Sequence, residues 1–298
     1  MSKQILYSDK DTFKNILYSE KDGSKNVLYS DKKKLGFEFS ASYSVLAPTS
    51  IKNTNDFIWF GLATVVFGRL NKSTGVTNTY SVSGVVGNVR GIEVSESQNL
   101  IFLSILVSPA VTTLIQVRSL SNPTTILYSY TSVGLAFGCA YDEINKALYV
   151  GSDLGGVRVF RWNSITNILA LNATIPIASY NAYGVSYSNE ILVVGTNANG
   201  TLKAYEITQG DTISAIFIKN IVMARPQARG LIYNSIDNTI LASHGSSSNL
   251  ISIYSYITGL LISEISILNV NSGMGAVIDS NNILWIASQN NNSIIKAI

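Results

Sequence analysis

The segment Gly138–Ser152 reads GCAYDEINKALYVGS, and its pattern governs most of the chain. A glycine opens a short apolar run, a polar turn follows, and a second apolar run ends in a small residue. The same pattern returns in four other segments, which begin at Gly91, Gly184, Gly230 and Gly275. The intervals between the five glycines are 47, 46, 46 and 45 residues. A repeat of this length indicates a repetitive architecture.

Each repeat predicts four short strands. In the repeat that opens at Gly138, apolar runs separated by polar turns predict strands at Gly138–Tyr141, Ala147–Gly151, Val157–Trp162 and Ile168–Ile175. Helical periodicity is absent. Four strands in a repeat of about 45 residues are typical of one blade of a β-propeller. A weaker sixth copy starts at Ser40 and is stretched by a segment rich in Asn and Thr. We therefore predict an all-β fold, a six-bladed β-propeller.

The spacing of the motif also suggests a family. The motif consists of Asp or Ser, then Asn-x and three apolar residues, then Gly or Ala followed by Ser. It resembles the motif of propellers with NHL or YVTN-type repeats. The resemblance covers residues 27–298. It implies the propeller fold, and the Trp-Asp dipeptide of WD40 repeats is missing. Because propellers with such motifs have many functions, the resemblance implies no particular activity.

The last repeat supplies only three strands, predicted at Gly275–Asp279, Ile283–Ala287 and Ser293–Ile298. A blade without its outer strand has an open sheet edge, so we expect a strand from the N-terminus to close the ring. The candidate is Val27–Asp31, because its sequence VLYSD matches the outer strand ILYSY predicted from Ile126.

This closing phrase occurs three times at steps of 11 residues. The copies are Ile5-Leu6-Tyr7, Ile16-Leu17-Tyr18 and Val27-Leu28-Tyr29. We divide the chain into a charged arm, residues 1–26, and a propeller, residues 27–298. Two interpretations of the spare copies stay open: they form a charged tail or a small meander, or they pair with the outer edges of neighbouring molecules.

Composition narrows the class of protein. Hydrophobic residues make up 46% and charged residues 13%, which is typical of a folded chain. The net charge of +3 comes from residues 1–34, with eight Lys and five acidic residues, and the remainder is neutral. A neutral body argues against nucleic acid as a partner. No apolar run approaches the roughly 18 residues of a membrane span, and the polar N-terminus does not read as a signal peptide.

A composition rich in Ser, Asn, Tyr and Ile and poor in charge is similar to that of surface and virion proteins of thermoacidophilic archaea and their viruses. This similarity implies a virion or an extracellular surface as the location, with the cytoplasm as the alternative. The lone Cys139 permits no intrachain disulfide.

Ligands of propellers usually meet the mouth of the central channel. The residues just before each first strand should ring that mouth, namely Phe39, Arg90, Phe137, Tyr183, Arg229 and Met274. Arg90 and Arg229 are three blades apart and therefore face each other across the channel. This arrangement predicts a site for an anionic or sugar-like ligand. In the alternative, the aromatic rings plug the channel and each arginine pairs with a carboxylate or a carbonyl.

Catalytic residues are scarce on the same face. His244 is the only histidine, and Asp153 is the one carboxylate that we place there. This set is too small for a metal centre, so we predict no metal and no cofactor. We favour a non-enzymatic structural or interaction protein whose arm binds protein partners, including further copies of itself. The alternatives are a lactonase or lyase using His244, Arg229 and Asp153, and a propeller that binds glycans or peptides at the mouth.

Overall fold

The computed structural model describes residues 6–8, 15–21, 24–30, 39–108, 112–177, 181–196, 200–245, 249–267 and 269–298. The chain divides into two compact units, Met1–Phe37 and Glu38–Ile298.

The N-terminal unit contains an antiparallel sheet in which the repeated phrase pairs with itself. Its strands are β1 (Leu6–Ser8), β2 (Asn15–Lys21) and β3 (Ser24–Ser30), in the order β1-β2-β3. The register places Leu6 opposite Leu17 and Leu17 opposite Leu28. The three repeats therefore form one small meander, and the segment predicted to close the propeller belongs to it.

The second unit begins with β4 (Phe39–Ser44) and continues with the strands of six blades, each a four-stranded antiparallel sheet. Blade one contains β5 (Pro48–Asn53), β6 (Phe57–Leu62), β7 (Val66–Asn71) and β8 (Thr77–Ser81). Blade two contains β9 (Gly87–Ser95), β10 (Leu100–Val107), β11 (Thr112–Ser119) and β12 (Ile126–Val133). Blade three contains β13 (Ala136–Asp142), β14 (Ala147–Ser152), β15 (Gly156–Asn163) and β16 (Ile168–Pro176).

The remaining blades repeat this order. Blade four contains β17 (Ala182–Ser188), β18 (Ile191–Thr196), β19 (Thr201–Thr208) and β20 (Ser214–Val222). Blade five contains β21 (Ala228–Asn234), β22 (Thr239–His244), β23 (Leu250–Ser255) and β24 (Leu261–Ser266). Blade six contains β25 (Gly273–Ile278), β26 (Leu284–Ser288) and β27 (Ser293–Ala297), completed by β4. The predicted six-bladed propeller is confirmed.

The first strand of each blade lies innermost, and each contacts the first strands of both neighbouring blades, so the ring is closed. The leading glycines permit this approach. A Cβ added to Gly91 would lie 2.6 Å from the carbonyl oxygen of Phe137, and one added to Gly138 would lie 2.8 Å from that of Tyr183. A larger residue at either position would push neighbouring backbones apart.

Neighbouring blades pack through buried apolar side chains, many of them aromatic. Tyr149 of blade three stacks on Tyr187 of blade four with ring centroids 4.9 Å apart. Phe102 of blade two meets Tyr141 of blade three at 4.5 Å. Such pairs contribute about 0.5–1.5 kcal/mol each beyond the area that they bury. They hold neighbouring blades against each other.

An N-terminal strand closes the ring, as predicted, but the predicted strand Val27–Asp31 was wrong. The closing strand is β4, which pairs with β27. Its sequence alternates in the manner of an edge strand, because Ala41 and Tyr43 are half-buried whereas Ser40, Ser42 and Ser44 are exposed. Tyr43 stacks on Trp285 with ring centroids 6.0 Å apart.

The closing strand was predicted wrongly because the first inner strand of blade one lacks the leading glycine of the other repeats. The repeat pattern predicts the first inner strand from Ser40, although that strand begins at Pro48. The register pairs Ser50 with Gly61, as it pairs Gly91 with Ser104 in blade two. Ser50 thus replaces the leading glycine by which the other repeats were recognised.

Candidate functional site at the channel mouth

Every inner strand carries a break in register near its first residues. In each blade the pairing of the first with the second strand skips one or two residues, as between Pro48 and Ser50 and between Ala228 and Gly230. A bulge of this kind leaves a residue outside the ladder and redirects its side chain. The redirected residues are Thr49, Arg90, Phe137, Tyr183, Arg229 and Met274.

These six residues, here called the mouth, all line one cavity of about 20 Å³ on the channel axis. Five were predicted from the sequence, and the structure brings them together. The sixth prediction, Phe39, was wrong, because Phe39 belongs to the outer strand β4. Thr49 lines the mouth in blade one instead. The same physical cause, the missing glycine of blade one, explains this correction.

The channel below the mouth is also narrow. A second cavity of about 50 Å³ shares Arg90, Arg229 and Met274 with the first and continues to Cys139. Since one water needs roughly 10–15 Å³ of such space, the two cavities hold a few waters or a group the size of a carboxylate. A sugar ring does not fit at this end.

The two arginines of the mouth lack neutralising partners among the described residues. Arg90 and Arg229 form no ion pair there, and the Nε of each is buried without a hydrogen-bond acceptor. The internal segments outside the described residues, 109–111, 178–180, 197–199, 246–248 and Leu268, contain no Asp or Glu. Two guanidinium groups therefore meet at the channel without a carboxylate from the propeller described here.

The positive charges of Arg90 and Arg229 influence each other. Burial lowers the pKa of Arg90, and the positive charge of Arg229 lowers it further. The Cζ of Arg229 lies 5.0 Å from the centroid of the Tyr183 ring, and that ring meets Phe137 edge-on at 4.3 Å. The aromatic rings partly offset the charge of Arg229, and the charged residues of the mouth are both positive.

Gly245 makes room for Arg229. A Cβ at Gly245 would lie 2.4 Å from Nε and 2.5 Å from Cδ of Arg229. The glycine follows β22, and its N–H donates to the carbonyl of Gln227 at 3.1 Å. No role was predicted for Gly245, although the dipeptide His244-Gly245 at the end of a second strand was an available signal.

His244 does not line either mouth cavity. It is fully buried at the end of β22, with Nδ1 3.2 Å from the carbonyl of Pro226 and Nε2 2.9 Å from Oγ of Ser252. Ser252 in turn donates to Glu264 at 3.2 Å. Burial lowers the pKa of His244, and the ring joins β22 to Ser252 of β23 and to the carbonyl of Pro226, which precedes β21.

Asp153 is likewise engaged away from the channel. Its Oδ1 accepts a hydrogen bond of 2.7 Å from the N–H of Leu135, and its own N–H donates to the Leu135 carbonyl at 3.1 Å. Among the residues that the structure describes, no group of three or more His, Cys, Asp or Glu side chains lies close enough to hold a metal ion. No helix in the same residues could span a membrane.

A larger cavity opens at the opposite end of the channel. It measures about 260 Å³ and is lined by residues of all six inner strands, among them Lys52, Glu93, Tyr141, Tyr187 and Tyr233. The sequence predicts ligands only at the mouth, and this second cavity, here called the basal cavity, was not predicted. Its signal was an acidic residue two positions after the leading glycine of blade two, which is Glu93.

Comparison with known proteins identifies the fold only. No protein-family model matches the chain, and the comparison with curated proteins found no match. The fold is similar to that of a chain in the crystal structure of the mitotic checkpoint complex, with a TM-score of 0.60 and 14% identity. The alignment covers 96% of this chain and 82% of that chain. The narrower resemblance to NHL or YVTN-type repeats stays a prediction.

Proposed function

We propose that this chain is a non-enzymatic interaction propeller whose mouth receives an anionic group, a carboxylate side chain, from a protein partner. The observation that carries the proposal is the pair Arg90 and Arg229, each with a buried Nε that lacks an acceptor among the described residues. An inserted carboxylate would accept from both guanidinium groups and remove their repulsion.

The dimensions of the mouth favour a side chain over a free metabolite. Cavities of about 20 and 50 Å³ admit a carboxylate and leave the rest of its bearer outside, where a protein surface can contact the rim. The structural neighbour is a component of a protein complex, and propellers commonly present such rims to partners. A lactonase or lyase is less well supported. Of the three residues proposed for such an enzyme, which are His244, Arg229 and Asp153, only Arg229 lines the mouth.

The proposal is tested by calorimetric titration with a capped Gly-Glu-Gly peptide and its Gly-Gln-Gly analogue. We expect the Glu peptide to bind and the Gln peptide not to bind, because only the carboxylate is anionic. The double variant Arg90→Met with Arg229→Met should abolish binding. Arg225→Met is the matched control, since Arg225 pairs with Glu264 at 3.0 Å and lines neither mouth cavity.

Three outcomes separate the possibilities. Equal binding of the two peptides, or binding that survives in the double variant, contradicts the proposal. Binding of acetate without binding of the Glu peptide assigns the mouth to a small free anion and also contradicts a protein partner. If peptide binding is lost in Arg225→Met but retained in the double variant, the binding site lies away from the channel axis.

A second candidate function, self-association, is favoured by the N-terminal sheet. In both of its strand pairs the central leucine of one repeat lies opposite the central leucine of the next. The phrase is thus self-complementary in antiparallel pairing. The outer edge of β3 has no partner within the sheet, so a two-fold pairing of β3 with a second copy would place Leu28 opposite Leu28 in the same register.

Light scattering over a range of concentrations tests this candidate with the full chain. We expect a dimer that dissociates in Leu17→Pro, because proline removes a backbone donor from the central strand. Leu17→Ile is the control and should dimerise as the natural chain does. A full chain that stays monomeric at every concentration would exclude self-association and leave the proposal for the mouth intact.

A further inference from the structure

We propose that the basal cavity binds a small neutral polyhydroxylated ligand of the monosaccharide class. The inference is independent of the function proposed for the mouth, since it concerns the other end of the channel. It rests on the size of the cavity, on an ion pair in its lining, and on the polar groups of the other lining residues.

The ion pair supplies the polar wall. Nζ of Lys52 on β5 lies 2.6 Å from Oε1 of Glu93 on β9, and the Glu93 side chain is 5% exposed whereas that of Lys52 is 35% exposed. Glu93 Oε1 also accepts from the N–H of Val94 at 3.2 Å. Glu93 is the partner of the ammonium among the described residues, which leaves two of its three N–H donors for a ligand.

Each partner shifts the pKa of the other toward its charged form, although burial still raises the pKa of Glu93 above its ordinary value. Burial alone would lower the pKa of Lys52, yet the charge and the hydrogen bond of Glu93 outweigh burial and raise it. The ammonium therefore keeps its proton. Because the two charges compensate each other, an added ionic group would enter the cavity without a counter-charge, and a neutral ligand with hydroxyl groups suits the wall better.

Tyr141, Tyr187 and Tyr233 of blades three, four and five also line the cavity. The hydroxyl of Tyr141 donates to Gln98 at 3.1 Å, and Tyr187 is stacked on Tyr149. The backbone N–H of Tyr233 donates to Oγ of Ser186 at 2.9 Å, so the O–H of Ser186 stays available to donate. Hydroxyl and ammonium donors in one cavity suit the hydroxyl groups of a sugar.

The volume agrees with one sugar ring. About 260 Å³ is many times the roughly 10–15 Å³ of such space that one water needs. The mouth, at about 20 Å³, cannot accept such a ring. The sequence predicts a sugar-like ligand for the mouth. Of the two ends of the channel, however, only the basal cavity is large enough for such a ligand.

The test is saturation-transfer NMR of the full chain with D-glucose, D-galactose, D-mannose and D-xylose at millimolar concentrations. We expect at least one sugar to bind. The double variant Lys52→Met with Glu93→Gln should weaken binding by about tenfold or more, because hydrogen bonds to charged groups are lost. Replacing both charges together avoids an unpaired buried charge, and a melting curve checks that the variant is folded.

A second variant covers the case in which the double variant fails to fold. Ile278→Trp enlarges a half-buried residue that lines the cavity and should block the sugar. Arg90→Met with Arg229→Met alters only the mouth and should leave sugar binding unchanged. The inference is overturned if none of the four sugars binds, or if binding persists in Ile278→Trp or in a folded double variant. Sugar binding that is lost in the mouth variant and retained in Ile278→Trp would also overturn it.

Discussion

The mouth and the basal cavity are built by the same six inner strands, yet they place charge in opposite ways. At the mouth, bulges direct Arg90 and Arg229 into cavities of about 20 and 50 Å³ without a described carboxylate nearby. At the base, Lys52 and Glu93 form a 2.6 Å ion pair beside a cavity of about 260 Å³. One end is a positive constriction, and the other is a compensated pocket. Removal of a charge should therefore have opposite consequences for stability at the two ends.

The largest effect is expected at the base. Lys52→Met leaves Glu93 buried without its partner, which costs about 2 kcal/mol of unfolding free energy, less than a fully buried pair because Lys52 is 35% exposed. Addition of Glu93→Gln should recover most of this loss. Denaturant unfolding measures both variants. If Lys52→Met is as stable as the natural chain, the ion pair is solvated and the two ends of the channel respond alike to the removal of a charge.

The mouth should respond in the opposite direction. Arg90→Met removes a charge that is repelled by Arg229 and an Nε that has no described acceptor. We expect the unfolding free energy to stay equal or to rise by about 0.5–1 kcal/mol. The same denaturant measurement applies. A loss as large as that of Lys52→Met would show that Arg90 is already paired in the natural chain.

Gly245→Ala sharpens the assignment of the mouth without removing a charge. The new methyl group would displace the flexible side chain of Arg229, so we expect the Glu peptide to bind less tightly by about tenfold, with a stability change within about 1 kcal/mol. Gly210→Ala is the control, because the nearest atom to its Cβ is 3.5 Å away. Equal peptide affinity in the two variants would contradict the role of Arg229.

The smallest effect concerns pH and separates structure from binding. Burial lowers the pKa of His244 below its unfolded value of 6.5. The stability that it contributes is fully present above pH 6.5 and is lost as the pH falls toward the folded pKa. Between pH 7 and pH 5 the melting temperature of His244→Gln should therefore fall less than that of the natural chain. The affinity of the variant for the Glu peptide should be unchanged, since His244 does not line the mouth cavities.

Much of the fold was predictable because it follows from local pattern. The four strands expected in the repeat at Gly138 agree with β13 to β16 within two residues. Arg90, Phe137, Tyr183, Arg229 and Met274 were found because each precedes a recognisable strand. Phe39 failed because blade one has Ser50 in place of glycine, and a repeat without its marker cannot be aligned by eye.

The sequence by itself determined the six blades, the innermost position of the glycine-led strands and the pair of arginines on one face. It determined them because apolar alternation and glycine placement act over a few residues. Only the tertiary structure decided that β4 rather than Val27–Asp31 closes the ring, that Lys52 meets Glu93, and that the larger cavity lies at the base. These features depend on contacts between residues far apart in the chain, and local pattern alone does not decide between competing matches such as VLYSD and SASYS.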